Sequence, residues 1–453
     1  MTTRMVIVGG GPAGNSCATT AARLGAEVVL IERDTVGGAA HLWDCIPSKA
    51  MIAAGNARSF VQRSMRMGLS EVATDVDLNQ LRQRLLTLEG RLEGQIRSLL
   101  ASQHVQFAHG SGTLIDPHTV RATTADETID FEADVIVLAT GSRPRLPEWA
   151  PVDGARVLTT RDAYPPPTLP EHLVVIGSGV TGVEFVHMFE SMGSEVTLVV
   201  SRQQVLPAKD PEVAAALEED FLRRGVRLLK GARAVDIRRE GDEVTVDCDD
   251  GRVVTGTHAL LAIGSIPNSE TLGLDKAGVH SAHGYVPVDA NLRSNIEHIY
   301  AAGDLSGRLP LSSVASIQGQ KIAEHALGAL SVSRRRVIDY DKAASAIFTE
   351  PEIADVGLAE ADAFSEGRKV RVTKVPFASS AKAQINDDPR GFVKIVSDPA
   401  TGVVLGGSIV GRHAAELISV IAVAVSNGLT VADIHESALV HPTLAEALRE
   451  AAE

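Results

Sequence analysis

Residues 37–50 read GGAAHLWDCIPSKA: a single thiol, Cys45, precedes Ile46-Pro47-Ser48-Lys49, and five positions before it stands only Ala40. A cysteine at a helix start is favoured as the thiolate, the form that reacts. Alone, however, it cannot run ordinary thiol–disulfide exchange, which needs a resolving partner. The other two cysteines of the 453-residue chain offer none: Cys17 falls on a helical run and Cys248 in a polar Val-Asp-Cys-Asp run. Three scattered cysteines also argue against a disulfide framework or a metal site. Any special sulfur acts by itself.

The elements that would position this stretch begin near the N-terminus. Met5-Val6-Ile7-Val8, then Gly9-Gly10-Gly11-Pro12-Ala13-Gly14, an alanine-rich run to about Leu24, and an apolar run over 26–31 ending at Glu32 predict strand, turn, helix and strand. In that setting Gly9 makes the tight turn, Gly11 admits a pyrophosphate to the backbone, and Gly14 packs the helix on the sheet. The phosphates would rest on the helix N-terminus. Glu32, about 20 residues past the first glycine, can accept hydrogen bonds from the ribose hydroxyls of an adenosine.

The pattern recurs with a strand over 173–176, Gly177-Ser178-Gly179-Val180-Thr181-Gly182, a helix from Val183 and a strand over 196–200. Two such folds imply two dinucleotides. The second ends at Val200-Ser201-Arg202 without an acid; this removes the partner of a ribose 2'-hydroxyl, and a nearby arginine accommodates a 2'-phosphate. The reading leans to NADPH over NADH, with a merely solvated arginine as the alternative.

Between the two folds, Leu78, Leu81, Leu85, Leu88, Leu92, Ile96 and Leu99 predict a long amphipathic helix whose stripe packs. Pro165-Pro166-Pro167 and residues 144–151 read as domain connections. Beyond about 340, strand-like runs at 391–396 and 403–410 precede helices from Ala414 and Leu444, which predicts a third, α+β unit.

Length predicts two to four domains. A formal net charge of -14 disfavours nucleic acid and anionic membrane surfaces. Residues 417–425 are far short of the roughly 20 that a membrane helix needs, so no stable membrane insertion is expected. The N-terminus enters a strand and glycine turn directly, which predicts a cytoplasmic protein.

In ordered segments along essentially the whole chain, the sequence resembles the flavoprotein disulfide reductases, whose members include dihydrolipoyl dehydrogenase, glutathione reductase and mercuric reductase. The resemblance rests on the first glycine turn with Glu32, Gly37-Gly38 through Lys49, Ala139-Thr140-Gly141, residues 177–184, and Ala262-Ile263-Gly264. It continues in Tyr300-Ala301-Ala302-Gly303-Asp304, Phe348-Thr349-Glu350-Pro351-Glu352 and His441-Pro442-Thr443 through Glu446. It implies an α/β architecture of two Rossmann-like dinucleotide-binding domains, for FAD and NAD(P), and a C-terminal α+β dimerisation domain. The divisions expected are 1–150 and 266–336 for FAD, 151–265 for NAD(P), and 337–453 for a homodimer interface. Gly38, Gly141 and Asp304 join the FAD-contacting residues, Asp304 at the ribityl-pyrophosphate region. Gly264 and Ser201 join those near the nucleotides. Lys49 and Glu184 would form an ion pair beside the flavin N5, where a cation favours the anionic reduced ring and tunes the cofactor. His441 and Glu446 would be the acid–base pair contributed across the dimer, serving as a proton source or inherited without use.

The family pattern breaks at the opening stretch, where two cysteines separated by four residues are replaced by Ala40 and Cys45. A dihydrolipoyl dehydrogenase-like disulfide reduction is thereby disfavoured. Cys45 reads as a charge-transfer thiolate, a peroxide-sensitive sulfur, or a side chain that only packs. The chain is most similar to the disulfide-lacking NAD(P)H:quinone reductase branch, in its GGAA start, its single Cys before x-Pro-Ser-Lys, and the segment Leu309-Pro310-Leu311-Ser312-Ser313-Val314-Ala315-Ser316-Ile317-Gln318-Gly319. His441 departs from that branch. Trp43 and Arg202 resemble the soluble pyridine nucleotide transhydrogenase, whose pattern keeps the first cysteine and loses the second. Reduced flavin passes electrons singly or in pairs, so an open site suits a quinone-like or dye acceptor. A flavin-binding redox sensor that oxidises Cys45 to sulfenic acid is the non-enzymatic alternative. The second nucleotide site and the Lys49/Glu184 pair weigh against it.

Overall fold

Side chains along the strand Arg4–Val8 alternate between two apolar clusters: Met5 and Ile7 join one with Leu30 and Val137, while Val6 and Val8 join another with Ile31, Ile136 and Leu138. A strand buried on both faces belongs to a covered parallel sheet. The computed structural model describes residues 2–329 and 337–453. It places this strand at the centre of five parallel ones, in the order Ile299–Ala301, Val135–Leu138, Arg4–Val8, Glu27–Glu32, Gln106–His109. The strand order reverses beside Arg4–Val8, and in open α/β sheets the carboxyl ends of the strands at such a reversal are where ligands bind.

The helices that bear on the site are, in chain order, α1 (Pro12–Arg23), α2 (Ala39–Leu42), α3 (Cys45–Arg63), α4 (Leu78–Ser102), α5 (Val180–Met192), α6 (Pro211–Arg223) and α7 (Ser312–Ala326). The chain divides into two compact units: Met1–Ser48, Arg82–Arg145 and Gly264–Ile338 form the first, and Lys49–Leu81, Leu146–Ile263 and Asp339–Glu453 the second. The expected boundary at 336 lies outside the described residues.

In the first unit, α1 and α7 cross closely because α7 carries Gly319, where any Cβ would collide with the carbonyl oxygen of Ala13. In the second unit, a parallel sheet ordered Arg227–Lys230, Glu195–Val200, His172–Ile176, His258–Leu261, Val157–Thr159 repeats the first topology. An antiparallel sheet follows, ordered Ser345–Ile347, Ile353–Gly357, Val404–Val410, Phe392–Ser397, Arg371–Pro376. The helix Ala414–Asn427 covers it, burying Ile418, Ile421 and Val425 with Val393, Ile395 and Ile409. Two dinucleotide folds and an α+β element make up the α/β class expected from the sequence.

Three details differ from the sequence reading. The final helix begins at Glu446 rather than Leu444. Helix α5 starts at Val180 rather than Val183, because Gly179 is its extended N-cap and the first turn already includes Gly182. On α4 the last inward leucine is Leu100, while Leu99 is 48% exposed. The chain turns out of the helix there, with the Val105 N–H donating to the Leu100 carbonyl, which draws Leu100 and Val105 into the same cluster. Among the described residues, no helix is long and apolar enough to cross a membrane.

Candidate active site

The three glycines of the first turn are not equivalent. A Cβ on Gly9 would strike the carbonyl of Ala139, and one on Gly14 would strike the carbonyl oxygen of Gly9, whereas one on Gly11 meets nothing within 4 Å. The helix start at Gly11 also has no side-chain cap, leaving first-turn N–H groups for an external acceptor. Gly38, at φ +60, packs so closely on this turn that its Cβ would lie 2.9 Å from the Cα of Gly11. The Gly37 N–H donates to the Gly10 carbonyl at 2.8 Å.

Glu32 is buried, and each of its oxygens accepts from one backbone N–H: Oε2 from Gly10 at 2.6 Å and Oε1 from Asp34 at 2.8 Å. A carboxylate offers about four lone-pair sites, so capacity remains for ribose hydroxyls. Asn15 donates to the Gly10 carbonyl at 2.6 Å. Its Oδ1 and the Nδ1 of His41 are buried with no partner among the described residues, and burial lowers the pKa of His41. Open space at Gly11, an uncapped helix start and orphaned polar atoms fit a pyrophosphate-linked dinucleotide such as FAD.

Elsewhere in the first unit, Asp304 accepts from the Ser142 hydroxyl at 2.6 Å. Gly141, at φ +66, and Gly264, at φ +95, have open space where a Cβ would stand. The Cys45 sulfur begins α3 and lies 3.5 Å from the hydroxyl of Ser312, the first residue of α7. Cys17 is fully buried against the Met5 sulfur, at 3.6 Å. Sequence reasoning missed Ser142 and Ser312 as site residues; Ser312 lies inside the segment 309–319 that carried the resemblance, which was the available signal, whereas Ser142 falls just past Ala139-Thr140-Gly141.

In the second unit, the turn at 177–182 repeats the division of labour. Gly177 and Gly182 have no room for a Cβ, and Gly179 has open space. Ser201 and Arg202 are exposed after the strand Glu195–Val200, and Arg202 lines a shallow hollow with Gln203, Gln204, Pro207 and Ala208. Lys49 and Glu184 do meet: Nζ donates to Oε2 at 2.7 Å, with the lysine side chain 31% exposed and the carboxylate 7%. The other carboxylate oxygen accepts from the Phe348 N–H at 2.9 Å, and the Lys49 ammonium stands 4.8 Å from the centre of the Phe348 ring. That N–H was invisible to motif reasoning, since every non-proline residue carries one. His441 and Glu446 also meet, Nδ1 to Oε1 at 2.7 Å, with the imidazole 73% exposed. The Thr443 N–H and His441 together hold the Glu446 carboxyl below its usual pKa. Cys248 points inward from the strand Glu243–Cys248, so its polar sequence setting was misleading.

Residues 3–319 match the pyridine nucleotide-disulphide oxidoreductase family, and residues 343–452 match that family's dimerisation domain. The chain belongs to this family. An oxidoreductase of this family uses FAD and a nicotinamide dinucleotide, in keeping with the two turns described above. The chain is 43% identical over 466 residues to the NAD(P)H dehydrogenase (quinone) of Mycobacterium tuberculosis, covering 100% of this chain and 94% of that protein. It is 34% identical to the dihydrolipoyl dehydrogenase of Chlamydia muridarum, covering 99% and 95% of the two chains. The crystal structure of LpdA from Mycobacterium tuberculosis superposes with a TM-score of 0.95 at 42% identity, covering 100% of this chain and 99% of that one.

Proposed function

We propose that this oxidoreductase takes electrons from NAD(P)H, with NADPH preferred, and delivers them through FAD to a quinone-like or dye acceptor without a redox-active disulfide. One observation carries the reading: the site holds one sulfur. Ala40 occupies the place of a first thiol, Cys45 has the Ser312 hydroxyl beside it, Cys17 is sealed in an apolar cluster, and Cys248 lies on a strand of the other unit. When bound, FAD supplies hydride acceptance from the nicotinamide and onward release of electrons. The quinone named for the Mycobacterium tuberculosis relative supports the same acceptor class.

In this reading residues 1–150 and 266–336 bind FAD, 151–265 bind NAD(P), and 337–453 join two copies as a cytoplasmic homodimer. Gly9, Gly11, Gly14, Gly38, Gly141 and Asp304 hold FAD, and Glu32 holds its adenosine ribose. Gly177, Gly179, Gly182, Gly264, Ser201 and Arg202 serve the nicotinamide dinucleotide, Arg202 at the 2'-phosphate. Lys49 presents a cation, and Glu184 fixes where it stands. Cys45 presents its sulfur from the start of α3. The Glu446 carboxylate accepts from His441 Nδ1–H, which leaves Nε2 of an exposed imidazole to hold or give a proton.

The test sets NADPH oxidation by the purified yellow protein with a small naphthoquinone beside NADPH with thio-NAD, and beside dihydrolipoamide with NAD. Fast quinone reduction with slow thio-NAD reduction and no NADH from dihydrolipoamide is expected. The reverse ratio of the first two assigns the chain to transhydrogenation, and NADH from dihydrolipoamide would overturn the reading altogether.

A further inference from the structure

Helix α3 sends three polar side chains, seven residues apart, to partners within the second unit. Lys49 meets Glu184, Asn56 Oδ1 lies 2.7 Å from His187 Nε2, and Arg63 pairs with Glu350. Seven residues are close to two helical turns, so the three share one stripe. Glu184 and His187 are likewise one turn apart on α5.

The second partner of His187 is Arg224, whose Nη1 lies 3.2 Å from His187 Nδ1. An arginine only donates, so Nδ1 accepts, the proton sits on Nε2, and Nε2–H donates to Asn56. His187 is 0% exposed, and burial followed by the Arg224 charge pushes its pKa well down, keeping it neutral. The same guanidinium donates to the Glu350 carbonyl at 3.3 Å and pairs with Asp220 at 2.8 Å and with Glu190. Asp220 and Glu350 are bridged in turn by Arg390, at 2.8 and 2.9 Å.

These contacts converge on the two supports of Glu184. One is the α5 backbone, which Arg224 holds through His187 one turn further on. The other is the Phe348 N–H, which sits two residues before the Glu350 carbonyl that Arg224 also holds. Buried ion pairs add little net stability over apolar packing of the same shape, and fixing one geometry is the use attested for them in some proteins. The planar fork of arginine reaches several acceptors at once, where lysine acts as a point charge.

We infer that Arg224 is a positioning residue for the Lys49/Glu184 pair, acting through His187 on one side and the segment 348–350 on the other. The inference rests on the reading above, in which that pair serves nicotinamide oxidation.

The experiment measures Lys49 itself. Competitive acetylation of the holoprotein with acetic anhydride, quantified by peptide mass spectrometry, reads how firmly Lys49 is held, without turnover. Exposed Lys276 and paired Lys230 serve as internal references. In Arg224→Met, Lys49 should react roughly fivefold faster, with the references unchanged; Arg224→Lys should fall between the variant and wild type. His187→Leu, which removes an uncharged side chain, should move Lys49 in the same direction and covers the case in which Arg224→Met does not fold. Single-turnover bleaching of the flavin band by NADPH should slow in the same order, with NADPH affinity unchanged. Unchanged Lys49 reactivity overturns the inference, and so does acceleration of all lysines together, which would mean general loosening. A wild-type flavin that NADPH does not bleach defeats the proposed function instead, while the labelling result still decides the role of Arg224.

Discussion

Glu184 is held from two sides: one oxygen takes the Lys49 ammonium at 2.7 Å and the other takes the Phe348 N–H at 2.9 Å. A carboxylate with both oxygens engaged cannot rotate away from its lysine without breaking a second bond. Glu184→Gln keeps the shape, removes the charge and frees the ammonium. The expected result is a fall of roughly 10- to 100-fold in the NADPH-driven flavin reduction rate, a cost of the size seen when a preorganised electrostatic group is removed, with KM for NADPH little changed. Stopped-flow measurement at the flavin band decides it; a change confined to KM would contradict the role.

The glycines of the first turn separate packing from binding. Gly14→Ala sets a methyl against the Gly9 carbonyl oxygen and should destabilise the fold by about 3 kcal/mol, the upper range for overpacking. Gly11→Ala has open space and an ordinary φ of -71. Its melting temperature without cofactor should stay at or above wild type, since alanine reduces unfolded-chain entropy, while FAD retention on gel filtration should fall sharply. Equal damage from both substitutions would erase the distinction.

In the proposed function, Arg202 carries the preference between nicotinamide dinucleotides. Arg202→Gln should raise KM for NADPH by about 10-fold, a typical loss for one charge-assisted phosphate contact, and leave NADH kinetics alone. A parallel rise for NADH would show that the side chain does not read the 2'-phosphate.

With one sulfur, turnover should survive its removal. Cys45→Ser is expected to keep quinone reduction within about threefold of wild type, as for a residue whose interactions matter little to the transition state. Loss of most activity, with FAD still bound, would assign the sulfur a direct part.

His258 sets an acid limit on stability. It is 1% exposed on the central sheet of the second unit, and burial, with the Arg156 charge adding to it, lowers its pKa from 6.5 to about 4. The native state therefore resists a proton that the unfolded chain accepts. The stabilisation is fully present above pH 6.5 and is lost as pH falls towards 4, by up to roughly 3 kcal/mol. Urea unfolding across this window should give a shallower pH slope in His258→Gln than in wild type.

What could be read from the sequence followed from local spacing. The two glycine turns, Glu32 after the first and the stripe of α4 each repeat a physical period, and each has its structural counterpart. The encounter of Lys49 with Glu184 was reached only by resemblance, because 135 residues separate them and no local pattern records such a contact. The Phe348 N–H, the Ser142 hydroxyl on Asp304 and the Arg224 hub left no signal of their own. The first is a backbone group, and the others are common polar residues whose partners are chosen by tertiary packing. The late start predicted for α5 came from treating Gly182 as loop, when its missing side chain is what lets the first helical turn sit on the sheet.

The short helix α2, which carries Ala40, contains no buried residue, whereas Lys49, Asn56 and Arg63 on α3 are each fastened to partners. Gaining or losing one thiol at position 40 should therefore disturb no core packing. The number of sulfurs at this site is thus separable from the scaffold: one substitution on a helix outside the core would add the second thiol, while the anchors of α3 stay in place.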